Sequence, residues 1–323
     1  MDEHKSPAPP VTGEPILLPA VQPFDWQGVI AFLARRVIPG LERLDGERWW
    51  RLMSLGGAQE SVDGWVRVQA APRGLSIVID PRLSGHREAV VRHLRAFFDL
   101  DLDPGLPQRV LGDLMRERPG LRMPGALDGF EVGVRAILGQ QVSLAAATTL
   151  AGRLLARFGR ETRCDTAPGR GGRLPDWPVA RAFPSPAVLA RADWREIAAL
   201  GMPQRRAQSV QALARLLAGG EVSLTTHADP GRTRERLLAL PGIGPWTVEY
   251  LAMRALRDRD AFPASDLVLM RALGVRTAAQ ASARAQGWRP WRSLAVMHLW
   301  SAAARAADAT AAGRAGVATR EAG

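Results

Sequence analysis

The sequence predicts an α+β chain, with an N-terminal antiparallel β-sheet domain ahead of all-helical domains. Two observations carry this. Between Trp49 and Asp80, apolar and polar residues alternate with the period of a half-buried strand, and turn residues break the alternation. From Pro107 onward every periodic segment repeats its apolar residues three and four positions apart, which is the spacing of a helix with one buried face.

Residues 1–15 hold Pro7, Pro9, Pro10 and Pro15 with little apolar content, which predicts a disordered tail. An α/β domain is expected over 16–105. It opens with a helix over 24–38, where Phe24, Trp26, Val29, Phe32, Leu33 and Val37 share a face. Strands follow at 49–55, 64–71 and 75–80, with a turn at Pro72–Gly74, and an amphipathic helix at 88–99 closes the domain. A helical domain is expected over 106–308. Its longest periodic stretch is 131–158, and further helices fall at 186–192, 193–199, 203–218, 232–240, 246–255, 266–273 and 291–307. The Gly/Pro-rich segment Cys164–Pro178 reads as a flexible surface loop. Residues 309–323 are rich in small side chains and read as a frayed tail.

Composition narrows the function classes. With 46% hydrophobic and 23% charged residues, the 323-residue chain can bury the cores of two or three small domains. It contains no apolar run of membrane-spanning length and no secretory leader pattern, so a cytoplasmic protein is expected. A single cysteine, Cys164, excludes a disulfide within the chain and a cysteine-rich zinc or iron–sulfur site. The histidines His4, His86, His93, His227 and His298 show no metal-ligand spacing, so no metal held by side chains is expected. The net charge of +11 calls for an anionic partner, nucleic acid or membrane surface, although arginine bias from a GC-rich genome accounts for it equally well. Lys5 is the only lysine, and it lies in the N-terminal tail, so a buried amine nucleophile has no good candidate.

The most informative run is Leu240–Thr247, Leu-Pro-Gly-Ile-Gly-Pro-Trp-Thr. It predicts a hairpin between two helices over 240–247. Gly242 and Gly244 permit backbone conformations closed to other residues and leave no side chain over the amides, and Pro245 suits the first turn of the second helix. Bare amides at that helix start form a phosphate site that reads no base.

Together with Pro263-Ala-Ser-Asp266, this run resembles the signature of helix–hairpin–helix base-excision DNA glycosylases, and within them of bacterial DNA-3-methyladenine glycosylase II. Phe24–Trp26 through Phe32, Arg118–Gly125, Gly133–Gln140, Gly201–Pro203, Arg206–Ala207, and Trp288–Ser293 through Trp300 match the same family. The resemblance spans about residues 22–303, with Cys164–Pro178 as an insertion. It implies base flipping and hydrolysis of the N-glycosidic bond of alkylated bases such as 3-methyladenine and 7-methylguanine. The implied partner is double-stranded DNA, bound by a monomer with no membrane attachment. It further implies no cofactor beyond a monovalent cation that hairpin carbonyls can hold.

Residue by residue, the resemblance makes Asp266 the catalytic carboxylate. An ionised carboxylate stabilises the oxocarbenium-like sugar, and the same residue also suits the cap of the helix that follows. Trp246 stands where bifunctional relatives carry an imine-forming lysine, which points to a monofunctional enzyme. Trp246, Tyr250, Trp300 and Phe32 match aromatic pocket positions, which suit an electron-poor alkylated base but also suit a core. Gly242, Ile243, Gly244 and Thr247 fall at the DNA-binding hairpin. Gln141 replaces the apolar wedge of close relatives and can hydrogen-bond an orphaned base. Arg135, Arg205 and Arg206 are expected at phosphates.

Overall fold

The structure, a computed structural model, describes residues 14–56, 61–162 and 180–321. The expected tail over 1–15 and the Cys164–Pro178 loop fall almost wholly outside these residues.

The N-terminal part is one five-stranded antiparallel sheet built from β1 (Ile16–Pro19), β2 (Glu42–Asp45), β3 (Arg48–Leu55), β4 (Val62–Ala71) and β5 (Gly74–Ile79). The spatial order β1-β5-β4-β3-β2 is a meander whose last strand also pairs with the first, through Ile16 opposite Ile77. The three central strands coincide with those expected. The edge strands β1 and β2 are additional; each has four residues, too few for a period-2 pattern to emerge. Helix α1 (Trp26–Ala34) is shorter than expected, and Asp25 caps it by accepting from Gly28 N at 2.9 Å. Helix α2 (Arg87–Phe98) buries Val90, Leu94, Phe97 and Phe98. Trp49 of β3 stacks on Phe97 at 5.3 Å and meets Phe98 edge-on at 5.7 Å, while Trp26 of α1 reaches Phe98 at 5.6 Å. One aromatic cluster therefore joins the sheet to both helices.

The helical part follows α3 (Gly105–Leu111). The stretch expected as one helix over 131–158 is two, α4 (Gly129–Leu138) and α5 (Leu144–Phe158). Gln141 between them has φ +57, a left-handed conformation that stops a helix, and Ser143 restarts it by accepting from Ala146 N at 3.2 Å. Beyond α5, β6 (Arg160–Glu161) pairs with β7 (Arg181–Ala182), so a short ladder closes the base of the Cys164–Pro178 segment. Then come α6 (Pro186–Arg191), α7 (Trp194–Ala198), α8 (Gln204–Ala218), α9 (Pro230–Leu238), α10 (Pro245–Arg254), α11 (Leu267–Ala272), α12 (Ala278–Arg284) and α13 (Arg292–Glu321). Helix α13 continues through the Ala-rich segment expected to fray after Ala309, in keeping with alanine's leading helix propensity.

Helix α4 is the hub, packing against α5, α8 and α10. Gly133 permits this closeness, since a Cβ there would stand 2.7 Å from Leu213 of α8. A buried ion cluster fixes α4 to the sheet. Arg51 of β3 reaches Glu42 of β2 at 2.6 Å and both oxygens of Glu131 on α4. Arg135 of α4 contacts Glu131 at 2.9 Å and Glu42 at 3.2 Å. Its other terminal nitrogen donates to the carbonyl of Arg36, just beyond α1.

His298 of α13 is 5% exposed, and its Nε2 has no hydrogen-bond partner among the described residues. Burial pushes the imidazole down to about 4; Asp25 pulls it up, while Arg305, Arg118 and Arg122 reinforce the fall. Between pH 6.5 and 4 the unfolded chain therefore binds a proton that the native chain refuses. This contribution to stability is complete above pH 6.5 and is lost as pH falls towards 4, to a total of about 3 kcal/mol. Relative to a His298→Leu variant, the unmodified protein is expected to lose urea resistance over that window. Parallel curves for the two proteins would contradict the assignment.

Candidate active site

The aromatic residues expected to line a pocket converge on Asp266. A cleft of about 440 Å³ is lined by Phe32, Arg36, Trp246, Tyr250, Asp266 and Trp300 among others. Trp246 and Tyr250 lie one turn apart on α10 and stack at 5.3 Å, with planes 17° apart. Trp300 of α13 sits 6.1 Å from Tyr250 at 41°. Phe32 of α1 comes from the sheet domain, so the cleft lies between the two parts of the chain.

Asp266 is the cap of α11 and the meeting point of two indoles. Its Oδ1 accepts from Leu269 N at 3.0 Å and from Trp300 Nε1 at 3.2 Å; its Oδ2 accepts from Trp246 Nε1 at 2.9 Å. Capping and cleft-lining thus coincide, because the donors that cap the helix also fix the carboxylate's plane. An ionised carboxylate has about four acceptor sites, and three are taken. The remaining one, on Oδ2, is available to an incoming water, and the negative charge lies in the cleft beside any sugar bound there.

The far end of the cleft is cationic. Arg254 donates to the Tyr250 hydroxyl at 2.9 Å, and the Arg36 guanidinium carbon sits over Phe32, 3.6 Å from the ring centroid. Burial raises the Tyr250 phenol, but Arg254, Arg36 and Arg135 outweigh it and hold the group below its ordinary value.

The hairpin forms between α9 and α10, where Gly242 has φ +76 and a Cβ would stand 2.2 Å from Ser209 Oγ. Gly242 therefore has to be glycine. Gly244 does not use its conformational freedom: its φ of −101 is open to any residue. What it offers is space, since no atom lies within 4 Å of a Cβ built there. It caps α10 without a side chain, leaving the amides at that helix start open to an anion. Ile243 and Thr247 are 4% and 2% exposed, so their side chains belong to the core beneath the hairpin. Gln140 Nε2 reaches both Gly242 O and Thr247 Oγ1 at 3.0 Å, and Arg206 donates to Gln140 O. Gln141 stands exposed at the tip of the α4–α5 turn.

Arg135 is a correction. It was expected at phosphates, yet its guanidinium is committed to Glu42, Glu131 and the Arg36 carbonyl. The helical spacing of α4 showed a basic residue near a turn, but not the Glu42 carboxylate brought from β2. Arg206 is likewise engaged internally, whereas Arg205 is exposed. Sequence reasoning passed over Arg36, Arg254 and Ser209. Arg36 and Arg254 each had a local signal, a place four residues after Phe32 and Tyr250.

An antiparallel sheet followed by helices around a Gly-x-Gly hairpin, with a capping aspartate beneath stacked aromatics, defines a helix–hairpin–helix base-excision DNA glycosylase. Residues 134–286 match the family model of the HhH-GPD superfamily base excision DNA repair proteins, and residues 15–128 that of the AlkA N-terminal domain. The chain belongs to the DNA-3-methyladenine glycosylase 2 family: it is 34% identical over 278 residues to DNA-3-methyladenine glycosylase 2 of Escherichia coli (strain K12), covering 86% of this chain and 94% of that protein. It is also 38% identical over 297 residues to the probable bifunctional transcriptional activator/DNA repair enzyme AlkA of Mycobacterium tuberculosis, covering 88% of this chain and 56% of that longer protein. The 3-methyladenine DNA-glycosylase of Archaeoglobus fulgidus has the same fold, with a TM-score of 0.70 at 21% identity over 88% of this chain and 96% of that one. The N-terminal family match ends at 128, beyond the break expected near 105. No described helix is long and apolar enough to cross a membrane.

Proposed function

We propose that the chain is a monofunctional glycosylase that removes alkylated bases, of the 3-methyladenine and 7-methylguanine kind, from double-stranded DNA, acting as a monomer. The carrying observation is the Asp266 carboxylate, held by two indole N–H groups at one end of an aromatic cleft. In the reaction the C1′–N bond breaks and its electron pair leaves with the base, so a cationic base departs neutral. Asp266 stabilises the positive sugar, a water adds its oxygen to C1′, and the water's proton passes to the carboxylate or to solvent. The stacked faces of Trp246 and Tyr250 suit a flat, electron-poor base, and Gln141 suits the gap it leaves in the duplex.

No side-chain metal enters this reading. The carbonyls of Leu240, Pro241 and Gly242 already accept from Ile243 N, Ser209 Oγ and Gln140 Nε2. Each keeps one lone pair, so a monovalent cation there would firm the turn, and the chemistry does not run through it.

The test is base release from methylated duplex DNA, with products separated by chromatography and borohydride added to trap any imine. Free methylated purines, alkali-labile sites and no covalent adduct are expected, because Trp246 stands where a lysine would be needed and Lys5 is the only lysine. An adduct that survives deletion of residues 1–15 would overturn the monofunctional reading.

A further inference from the structure

The cleft has a charged residue that removal of cationic bases does not explain. Three arginines surround the Tyr250 hydroxyl, and two are fully engaged. Arg135 pairs with Glu42 and Glu131, while Arg254 donates to Pro124 O, to Gly125 O and to the Tyr250 hydroxyl. Arg36 donates to Phe32 O at 2.8 Å, bears on the Tyr250 hydroxyl through its charge, and has no ion pair among the described residues. It lines the cleft, and its five N–H groups are more than its contacts among the described residues use. Burial pushes it down to about 10; Tyr250 opposes this and Arg254 and Arg135 add to it, so it stays charged at neutral pH. A bare cation at this place repels a cationic base as a whole, unless the base turns an acceptor towards it.

The aromatic wall gives that encounter a direction. It runs from the Asp266 carboxylate through Trp246 and Tyr250 to the arginines. A purine whose glycosidic nitrogen lies at Asp266 extends its six-membered ring towards Arg36. We propose that Arg36 is a specificity-determining residue that donates to a carbonyl oxygen on the far edge of the flipped base, favouring keto purines over amino purines. The inference rests on the glycosylase reading and deepens it. A keto oxygen accepts from the guanidinium, whereas an exocyclic amino group sets donor against donor.

Methylated duplex DNA carries both kinds of base, 7-methylguanine with a keto oxygen and 3-methyladenine with an amino group, and one chromatogram measures both. In Arg36→Met the ratio of kcat/KM for 7-methylguanine to that for 3-methyladenine is expected to fall about 10–100-fold, the worth of a charged hydrogen bond. Arg36→Lys, which keeps a charged donor, is expected to restore part of the ratio, and Arg36→Gln a smaller part. A general loss from disturbing Phe32 and Tyr250 would lower both rates and leave the ratio alone. A ratio within about twofold of the unmodified protein's in Arg36→Met overturns the proposal whatever the absolute rates. Should that variant not fold, equal ratios in the Lys and Gln variants and the unmodified protein overturn it instead. If the unmodified protein releases neither base, the glycosylase reading itself fails.

Discussion

Asp266→Asn is expected to lower the rate of base release about 10²–10³-fold, equivalent to about 2.7–4 kcal/mol, while duplex binding is retained. The loss has two sources. Charge facing the positive sugar disappears, and the three donors at the carboxylate now meet a side chain with a single acceptor oxygen. If that oxygen keeps Leu269 N and Trp300 Nε1, the amide nitrogen faces Trp246 Nε1, donor against donor. A modest loss of stability, about 1–3 kcal/mol, should therefore accompany the loss of rate. Single-turnover release of 3-methyladenine measures the first effect and urea denaturation the second. Wild-type turnover in this variant would remove Asp266 from the chemistry.

Glu131→Gln is expected to cost about 3–5 kcal/mol of stability, the largest loss predicted for any single substitution here. Glu131 faces both Arg51 and Arg135; burial pushes its carboxyl up, but the two arginines outweigh burial and hold it below the ordinary glutamate range. Neutralising it leaves two buried guanidinium groups to share Glu42. Arg135 also holds the Arg36 carbonyl, so the α1 wall of the cleft should loosen as well. Urea denaturation followed by tryptophan fluorescence reads the change; a loss below about 1 kcal/mol would mean that water or relaxation replaces the ion pair.

The parts of this molecule that could be read from the chain are those whose cause is local. The alternation at Val66–Ala70 made β4 visible, and the Leu240–Thr247 string pointed to both the hairpin and the aspartate beyond it. What escaped depends on partners far away in sequence. Strand β2 exists because β3 runs antiparallel beside it, with Glu42 opposite Arg51. Arg135 looked like a surface cation because nothing near it in sequence announces Glu42, 93 residues earlier. The break at Gln141 was hidden because a single left-handed residue leaves no mark on a periodic pattern. For the same reason the aromatic members of the cleft were accessible to motif reasoning, while its cationic end was not.

The clasp between Gln140 and the hairpin has a consequence for how damage is located. Gln140 is fastened to Gly242 and Thr247, about a hundred residues along the chain, and Arg206 grips it from α8. Gln141, its neighbour, is thereby carried on the same rigid piece as the amides at the start of α10. The two behave as the fixed jaws of a caliper. If the hairpin seats on a strand as proposed, the Gln141 tip would stand at a set offset from the bound phosphate, and distance along the backbone would choose the nucleotide interrogated before any base is touched.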